Sequence, residues 1–431
     1  MGFGGTFQQG LSGLNAAQRG LEVIANNVSN ANVIGFKSSQ AQFSDVFARA
    51  FSGGAGNNNV GLGTQLSGVQ QSFKQGNLSV TGNPLDLGIN GEGFFKMDSI
   101  NGEKIYTRNG QFRLDDSGNV VNGRGDFLLG FPVDEATNRP LDNPTRIQIP
   151  QASIAPSSTK ATTLELNLDA RKDVITSPFD PADLSTFNNS TSLTVYDQLG
   201  ESHVFSVYFR KTDAATNTWE VEATLDGEVV ALNDDAGAAA KTVQFNQDGT
   251  LDTAATNGKF QIDLSAYVAS PDGAEFSDAM PPLPANTFTF DMSDVTQFGS
   301  AFAVQNLDQD GYESSPYSGF DIGPDGTLSV NYANGQSQDI AKIGLFKFKN
   351  PEGLQPLGSN GWLATDAAGP ELISLSDETA FGVIQSGALE EANVDLTAEL
   401  VAMISAQRIY QANSQSIKTQ DSLLQTISNL R

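Results

Sequence analysis

Cysteine is absent from this 431-residue chain, and histidine occurs once, at His203. Without cysteine there is no disulfide, no thiolate nucleophile and no Cys-ligated zinc. A single histidine excludes paired-His metal sites and relays of several histidines. Basic residues are scarce: 24 Lys+Arg stand against 50 Asp+Glu, a net charge of -26. That balance excludes a general nucleic-acid binder, which needs a basic stripe against phosphate. It also argues against docking on anionic lipid. No apolar run approaches the roughly 20 residues of a membrane-spanning helix, so no membrane insertion is expected. The start, Met1 to Gly10, has neither a basic segment nor an apolar one, so no cleaved secretory signal peptide is expected. A cysteine-free chain suits an oxidising exterior and a cytoplasm equally.

What is present is divided unevenly. The length calls for two or more domains, and 39% hydrophobic residues supply a core that is adequate but not rich. Residues 151–290 hold 7 basic and 20 acidic residues, a net of -13 and half of the total. Residues 1–50 are at +1 and residues 386–431 at -2. The charge therefore sits on the middle of the chain, which should stay solvated, while near-neutral ends can pack closely.

The ends read as helices. Leu14, Leu21 and Val28 recur every seven residues, with Leu11, Ala17 and Ile24 beside them. In residues 394–430 the row Leu396, Met403, Tyr410, Ile417 and Leu424 is apolar throughout, widened by Leu400, Val401, Ile404 and Ile427. Asn393 or Asp395 can cap its start, and Glu399 suits the positive end of the helix dipole. Gln407, Ser414 and Asp421 interrupt the second row that a two-stranded coiled coil requires. Two arrangements fit this pattern: a helical hairpin lying on the rest of the chain, or helices that complete their packing only against other copies.

Between the ends the pattern is β. Ser192 to Asp197 and His203 to Phe209 alternate and are joined by a hairpin-length loop, and Trp219 to Leu225 alternates again. Phe112 with Asp115–Gly118, Phe245 with Asp248–Gly249 and Phe320 with Asp325–Gly326 form three similar turn signals. Their irregular spacing reads as repeated hairpins rather than a solenoid. Gly53 to Gly63 is a Gly/Asn-rich linker without the Lys-Ser/Thr ending of a phosphate loop.

Chemistry is hard to locate. His203 falls on the strand face of Phe205, Val207 and Phe209, which reads as a sheet residue with no nucleophile set around it. Asp308 to Glu313 lacks the full ligand spacing of a calcium loop and reads as a turn. Arg124-Gly125-Asp126, a tripeptide that some receptors read, lies between strand-like segments and reads as a hairpin turn. No catalytic, metal or cofactor-binding set can be named, so no enzyme and no cofactor is expected.

The informative stretch runs from Ile24 to Lys37: a helix end, then Asn26, Asn27 and Asn30, then Gly35-Phe36-Lys37. Asn tolerates the left-handed region and bonds its own backbone, and Gly35 permits a sharp reversal. This spacing resembles the N-terminal motif of the bacterial flagellar rod and hook proteins. The resemblance continues at Leu85 to Phe95, at Tyr106 to Phe112, at Gly387 to Leu396, at Ala406 to Asn413 and at Ile417 to Asp421. Ser29 and Val33-Ile34 depart from the usual Ala and Thr residues of the motif. The large central insertion, and Thr194 to His203 within it, resemble the hook members more than the rod members.

The resemblance implies a multidomain α+β protein. Paired terminal helices would form a coiled-coil-like inner layer, with two mainly antiparallel β domains inserted between them. The implied plan places an N-terminal inner helix at 1–28 and a connector at 29–72. A discontinuous middle β domain follows at 73–145 plus 291–385, an acidic outer β domain at 146–290 and a C-terminal inner helix at 386–431. It implies a non-catalytic subunit that self-assembles into a curved hollow tube, the flagellar hook. The hook lies outside the cell and acts as a universal joint between motor and filament. Subunit packing would fall to Leu14, Leu21, Ile24, Val28, Leu396, Leu400, Met403, Tyr410, Ile417 and Leu424. The connector turn would fall to Asn26, Asn27, Asn30, Gly35, Phe36 and Lys37. Implied partners are other copies of the chain, a distal rod protein at the base, a junction protein and cap at the tip, and the flagellar export apparatus. A rigid distal rod subunit is the nearest alternative; an extracellular adhesin is a more distant one.

Overall fold

In the computed structural model, residues 3–46, 63–134, 137, 139–234, 238–256, 258–264, 287–374 and 381–429 are described. The Gly53–Gly63 linker lies almost wholly outside them. Two helices flank a long run of strands: α1 spans Phe3–Ser29 and α2 spans Leu396–Asn429. Asp395 is the residue that caps α2, its Oδ1 accepting from Thr397 N at 2.9 Å and Ala398 N at 3.1 Å. The helices pack side by side at close range. A side chain at Gly13 would meet Asn413 Nδ2 at 2.8 Å, and one at Gly10 would meet Ile417 Cγ1 at 3.0 Å.

The chain divides into two compact units, residues 1–151, 319–331 and 337–431 in one and residues 152–318 and 332–336 in the other. The first contains both helices. Its main sheet runs Ser337–Lys342, Phe127–Asp134, Phe95–Asp98, Lys104–Thr107, Gly361–Leu363 and Gln355–Gly358 in spatial order. Three further pairings join distant parts of the chain: Leu78–Val80 with Ala388–Glu390, Leu87–Asn90 with Val383–Ser386, and Leu345–Phe348 with Glu371–Ser374. The unit is thus discontinuous in sequence. Its core is aromatic: Phe94, Tyr106, Phe131, Phe346, Phe348 and Trp362 are buried together. Trp362 Nε1 donates to Gln71 Oε1 at 2.7 Å, so the indole satisfies its polar edge within the fold.

The second unit is built on one twisted sheet. Asn189–Tyr196 and Ser202–Asp213 form the expected hairpin, with Leu193 opposite Phe205. Thr218–Leu225, Glu228–Asn233, Lys259–Asp263 and Thr287–Asp291 follow in spatial order. Strand Ala161–Asp169 pairs parallel with Thr287–Asp291 and with Thr296–Phe298, and antiparallel with Ala303–Gln309. These last strands carry the unit beyond residue 290, where the outer domain implied by the resemblance would end. Alternation along Ser202–Asp213 buries His203, Phe205, Val207 and Phe209 on one face, as the period of two requires. Phe205 meets Phe288 and Phe290 edge-on, with ring centroids 5.2 and 5.6 Å apart.

The three turn signals behave alike. Gly118, Gly249 and Gly326 take φ values of 80°, 88° and 84°, where a side chain would be strained. In each turn the preceding aspartate accepts from a backbone N–H two residues ahead. Arg124 is paired with Asp126 at 2.7 Å within its own hairpin turn. Asp310 Oδ1 accepts from Lys160 N and Ala161 N, at 2.8 and 3.0 Å, so that carboxylate caps a strand start.

Phe205→Ala should destabilise the second unit by about 3–5 kcal/mol, because a fully buried ring leaves a cavity among close-packed aromatics. Urea denaturation read through the buried Trp219 measures this; a loss below 1 kcal/mol would refute the packing described.

Candidate functional site: the terminal helices and the connector turn

The connector begins where α1 ends. Asn27 is buried, and its amide closes a ring of contacts: Nδ2 donates to Ser39 O at 2.8 Å and to Glu399 Oε1 at 2.9 Å, while Oδ1 accepts from Ser39 N at 2.9 Å. One side chain thus joins α1, the chain leaving the turn and the first turn of α2. Asn30 Nδ2 donates to Asn26 O at 2.8 Å and fastens the helix end. Gly35 has φ +70° and donates to Glu390 O at 2.8 Å. A Cβ there would lie 2.6 Å from Asn109 N, so both conformation and space demand glycine. Phe36 is half-buried, and its N donates to Val33 O at 3.1 Å.

Lys37 reaches the centre of this region. Its Nζ donates to Glu390 Oε1 at 2.8 Å and to Lys74 O at 2.7 Å, with both charged side chains fully buried. Arg108 Nη1 donates to Glu390 Oε2 at 3.0 Å and its Nη2 to Gly91 O at 2.9 Å. Gly76 N adds a further donor to Glu390 Oε1 at 2.8 Å. Burial pushes the Lys37 ammonium down to about 8; Arg108 acts in the same direction, and Glu390 opposes both. Burial likewise lowers Arg108. Asn393 completes the junction: its Oδ1 accepts from Ser38 N at 2.7 Å and its Nδ2 donates to Ser72 O at 2.8 Å.

The apolar helix rows divide between two faces. Leu14, Leu21, Ile24 and Val28 are half-buried, as are Met403 and Ile417 on α2. The α2 stripe that is partly covered runs through Glu399, Met403, Ala406, Asn413, Ile417 and Gln420. Leu400, Val401 and Ile404 lie on the opposite side of the helix and are exposed. Leu396, Tyr410, Ile409 and Leu423 are exposed as well. The heptad row read from the sequence is thus covered unevenly: Met403 and Ile417 are half-buried, while Leu396 and Tyr410, which point to the same side, remain exposed. The side chain of Leu424 lies outside the described residues.

Glu390 and Arg108 were not singled out by sequence reasoning, and Asn393 was read only as a possible cap of α2, a place that Asp395 takes. Their signal was their position inside the recurring motifs around Tyr106 and Gly387; neither charge patterning nor periodicity brings 37, 108 and 390 together.

Paired terminal helices, a polar junction and strand-rich insertions define an axial protein of the bacterial flagellum, and four family models match in the same order along the chain. They are the flagella basal body rod protein at 7–37 and the flagellar hook protein FlgE/F/G D1 domain at 88–170. The flagellar basal body protein FlaE D2 domain follows at 167–312, and the flagellar basal body rod FlgEFG protein C-terminal model at 385–430. The flagellar hook protein FlgE of Escherichia coli is 38% identical, with 99% of this chain and 100% of that one aligned. That of Salmonella typhimurium is 37% identical over 99% and 100%. That of Rhizobium meliloti is 31% identical over 99% of each. The crystal structure of Helicobacter pylori flagellar hook protein FlgE2 has a TM-score of 0.53 at 13% identity, covering 72% of this chain and 100% of that one, a likeness of fold alone. The chain belongs to the flagellar hook protein family. It is a structural subunit of the hook, the universal joint of the flagellum, and not an enzyme.

Glu390→Gln should cost about 3–5 kcal/mol, because two buried cations lose the anion that compensates them. Urea denaturation followed through Trp362, in the same unit, gives the value; a change within 1 kcal/mol would remove the junction's assigned weight. A second consequence concerns protons. The folded pKa of Lys37 lies below its unfolded value, so between about 8 and 10.5 the unfolded chain holds a proton that the fold does not. Lys37's contribution to stability therefore rises with pH across that window. At pH 9 unfolding should take up ~0.9 more protons in the parent than in Lys37→Met, measured from the dependence of unfolding enthalpy on buffer ionisation. Equal uptake in both would contradict the assignment.

Proposed function

We propose that assembly of the hook is driven by the open face of α2 closing against α1 and α2 of neighbouring copies. The observation that carries this is the exposure of Leu400 (49%), Val401 (60%) and Ile404 (51%) on a helix whose other face is already covered. Large apolar side chains grouped on one helix face mark a surface that is buried in an assembly. Repeated head-to-tail contacts that do not close into a ring give an open helical polymer, which is how a tube grows from identical subunits.

In this reading residues 1–28 and 386–431 form the inner layer and 29–72 the connector. The rest of the first unit forms the middle domain, and the second unit, residues 152–318 and 332–336, forms the acidic outer domain in place of the 146–290 implied by the resemblance. The packing set is Leu14, Leu21, Ile24, Val28, Leu396, Leu400, Met403, Tyr410, Ile417 and Leu424, and its polar interruptions suit contacts with several neighbours at once. The acidic outer domain, net -13 over 151–290, stays hydrated and lets adjacent copies slide as the tube bends. The subunit leaves the cell through the flagellar export apparatus. It adds beneath a cap, stands on a distal rod protein and meets a junction protein at the filament end. Before assembly the isolated helix ends fray, since a lone helix is marginal in water.

Leu400→Glu with Ile404→Glu should leave the monomer's stability within about 0.5 kcal/mol, as for other exposed positions. The same pair should abolish tubes formed by the concentrated chain in a salting-out buffer. Electron microscopy beside a thermal melt reads both. Normal tubes from the double variant would overturn the proposed interface, and so would normal tubes from a chain lacking residues 394–431.

A further inference from the structure

The hairpin of Asn189–Tyr196 and Ser202–Asp213 carries three potential ligands at its loop end, Asp197 and Glu201 on the loop and His203 at the start of the second strand. Asp197 is completely buried. Its Oδ1 accepts from Glu201 N at 2.7 Å, but its Oδ2 has no hydrogen-bond partner. A buried carboxylate oxygen without a donor is costly, and such atoms call for an unassigned partner. His203 Nε2 lies 3.8 Å from that oxygen. On the other side of the ring, His203 Nδ1 lies 2.7 Å from Asp226 Oδ2. An ionised carboxylate can only accept, so Nδ1–H donates to Asp226, and in the neutral ring the lone pair is on Nε2, towards Asp197. Glu201 supplies an exposed carboxylate, and one ligand atom from each of the three residues lies within 4.8 Å of the others.

We propose that Asp197, Glu201 and His203 bind one divalent cation of the zinc class. An imidazole nitrogen with two carboxylate oxygens suits a borderline ion; calcium prefers an all-oxygen shell of higher number. Two ligand atoms each about 2.1 Å from a zinc ion sit roughly 3.4 Å apart in tetrahedral geometry, close to the spacing of Nε2 and Oδ2. Glu201, exposed and on a loop, closes the remaining distance, and water fills the fourth position. Asp226 fixes the ring's tautomer and orientation, the carboxylate–histidine arrangement that supports metal-bound imidazoles. The loop is itself well seated: Gly200 has φ +81°, and a side chain there would meet Pro156 Cβ at 2.7 Å. The cation would therefore tie the two sides of this hairpin end together, stabilising the second unit by linkage. This site is independent of the helix face proposed above for assembly.

The single histidine makes the test direct. Full-length chain, freed of metal by a chelator and kept in low salt, is titrated with zinc chloride. Calorimetry gives stoichiometry and affinity, and nitrogen-15 spectra of the imidazole give the ligand. The expected result is one saturable equivalent, a large shift of Nε2 with the Nδ1 proton retained, and a raised melting temperature. Asp197→Asn keeps the Oδ1 acceptor and should weaken binding at least about tenfold, as should Glu201→Gln. Glu201 is exposed, so its variant decides the matter even if Asp197→Asn fails to fold. No saturable binding, zinc uptake that leaves the imidazole resonances unmoved, or unchanged affinity in Glu201→Gln would each overturn the proposal.

Discussion

The buried carboxylate of Glu390 is the point on which the helical end of this molecule depends. It sits on the short strand Ala388–Glu390, just ahead of α2, and is approached by Lys37 from the connector, Arg108 from the middle strands and the amide of Gly76. A buried charge is tolerated only when it is paired and hydrogen-bonded, so these groups must meet in one arrangement. That requirement fixes the angle at which α1 leaves the turn and α2 begins. Gly35 and Asn27 act in the same place: one through a left-handed backbone so close to Asn109 that no side chain fits, the other through an amide shared between three segments. A subunit that transmits torque needs its helices set firmly on its β domain, and polar pairs with defined geometry provide this better than apolar contact.

Beyond that junction, the two kinds of surface divide the work. The helices keep an apolar face that their own chain does not cover, while the strand-rich middle carries the acidic charge. Apolar burial is strong and non-directional and therefore suits the permanent contacts of an inner layer. Hydrated like charges at short range resist sticking and suit contacts that must shift. The aromatic cores beneath, around Phe94, Phe346 and Trp362 in one unit and Phe205, Trp219 and Phe290 in the other, leave the shape of each unit little room to deform.

Much of this was legible from residue order. Period-two alternation placed His203, Phe205, Val207 and Phe209 on one buried face, and the Asp-Gly turns appeared where the signals stood. Period-seven rows placed both helices to within a few residues at their inner ends. The limits of the second unit were less legible, because Thr296–Phe298 and Ala303–Gln309 join it by pairing with a strand more than 100 residues earlier. The uneven cover of the α2 row was also hidden. Leu396 and Tyr410 share a heptad position with Met403 and Ile417 and, with a drift of only about 20° per heptad, point to the same side; which of them is covered depends on what packs there, and periodicity does not report that.

The sequence by itself determined the helical ends, the strand-rich acidic middle and the recurring motifs that mark an axial flagellar subunit, because local periodicity and turn chemistry act over a few residues. Only the tertiary structure decided that Lys37, Arg108 and Glu390 form one buried cluster, that one face of α2 stays open, and that Asp197 is sealed beside His203. Each of these depends on burial and on contacts between segments far apart in the chain. Desolvation and charge pairing acquire their magnitude only once the fold has excluded water from them.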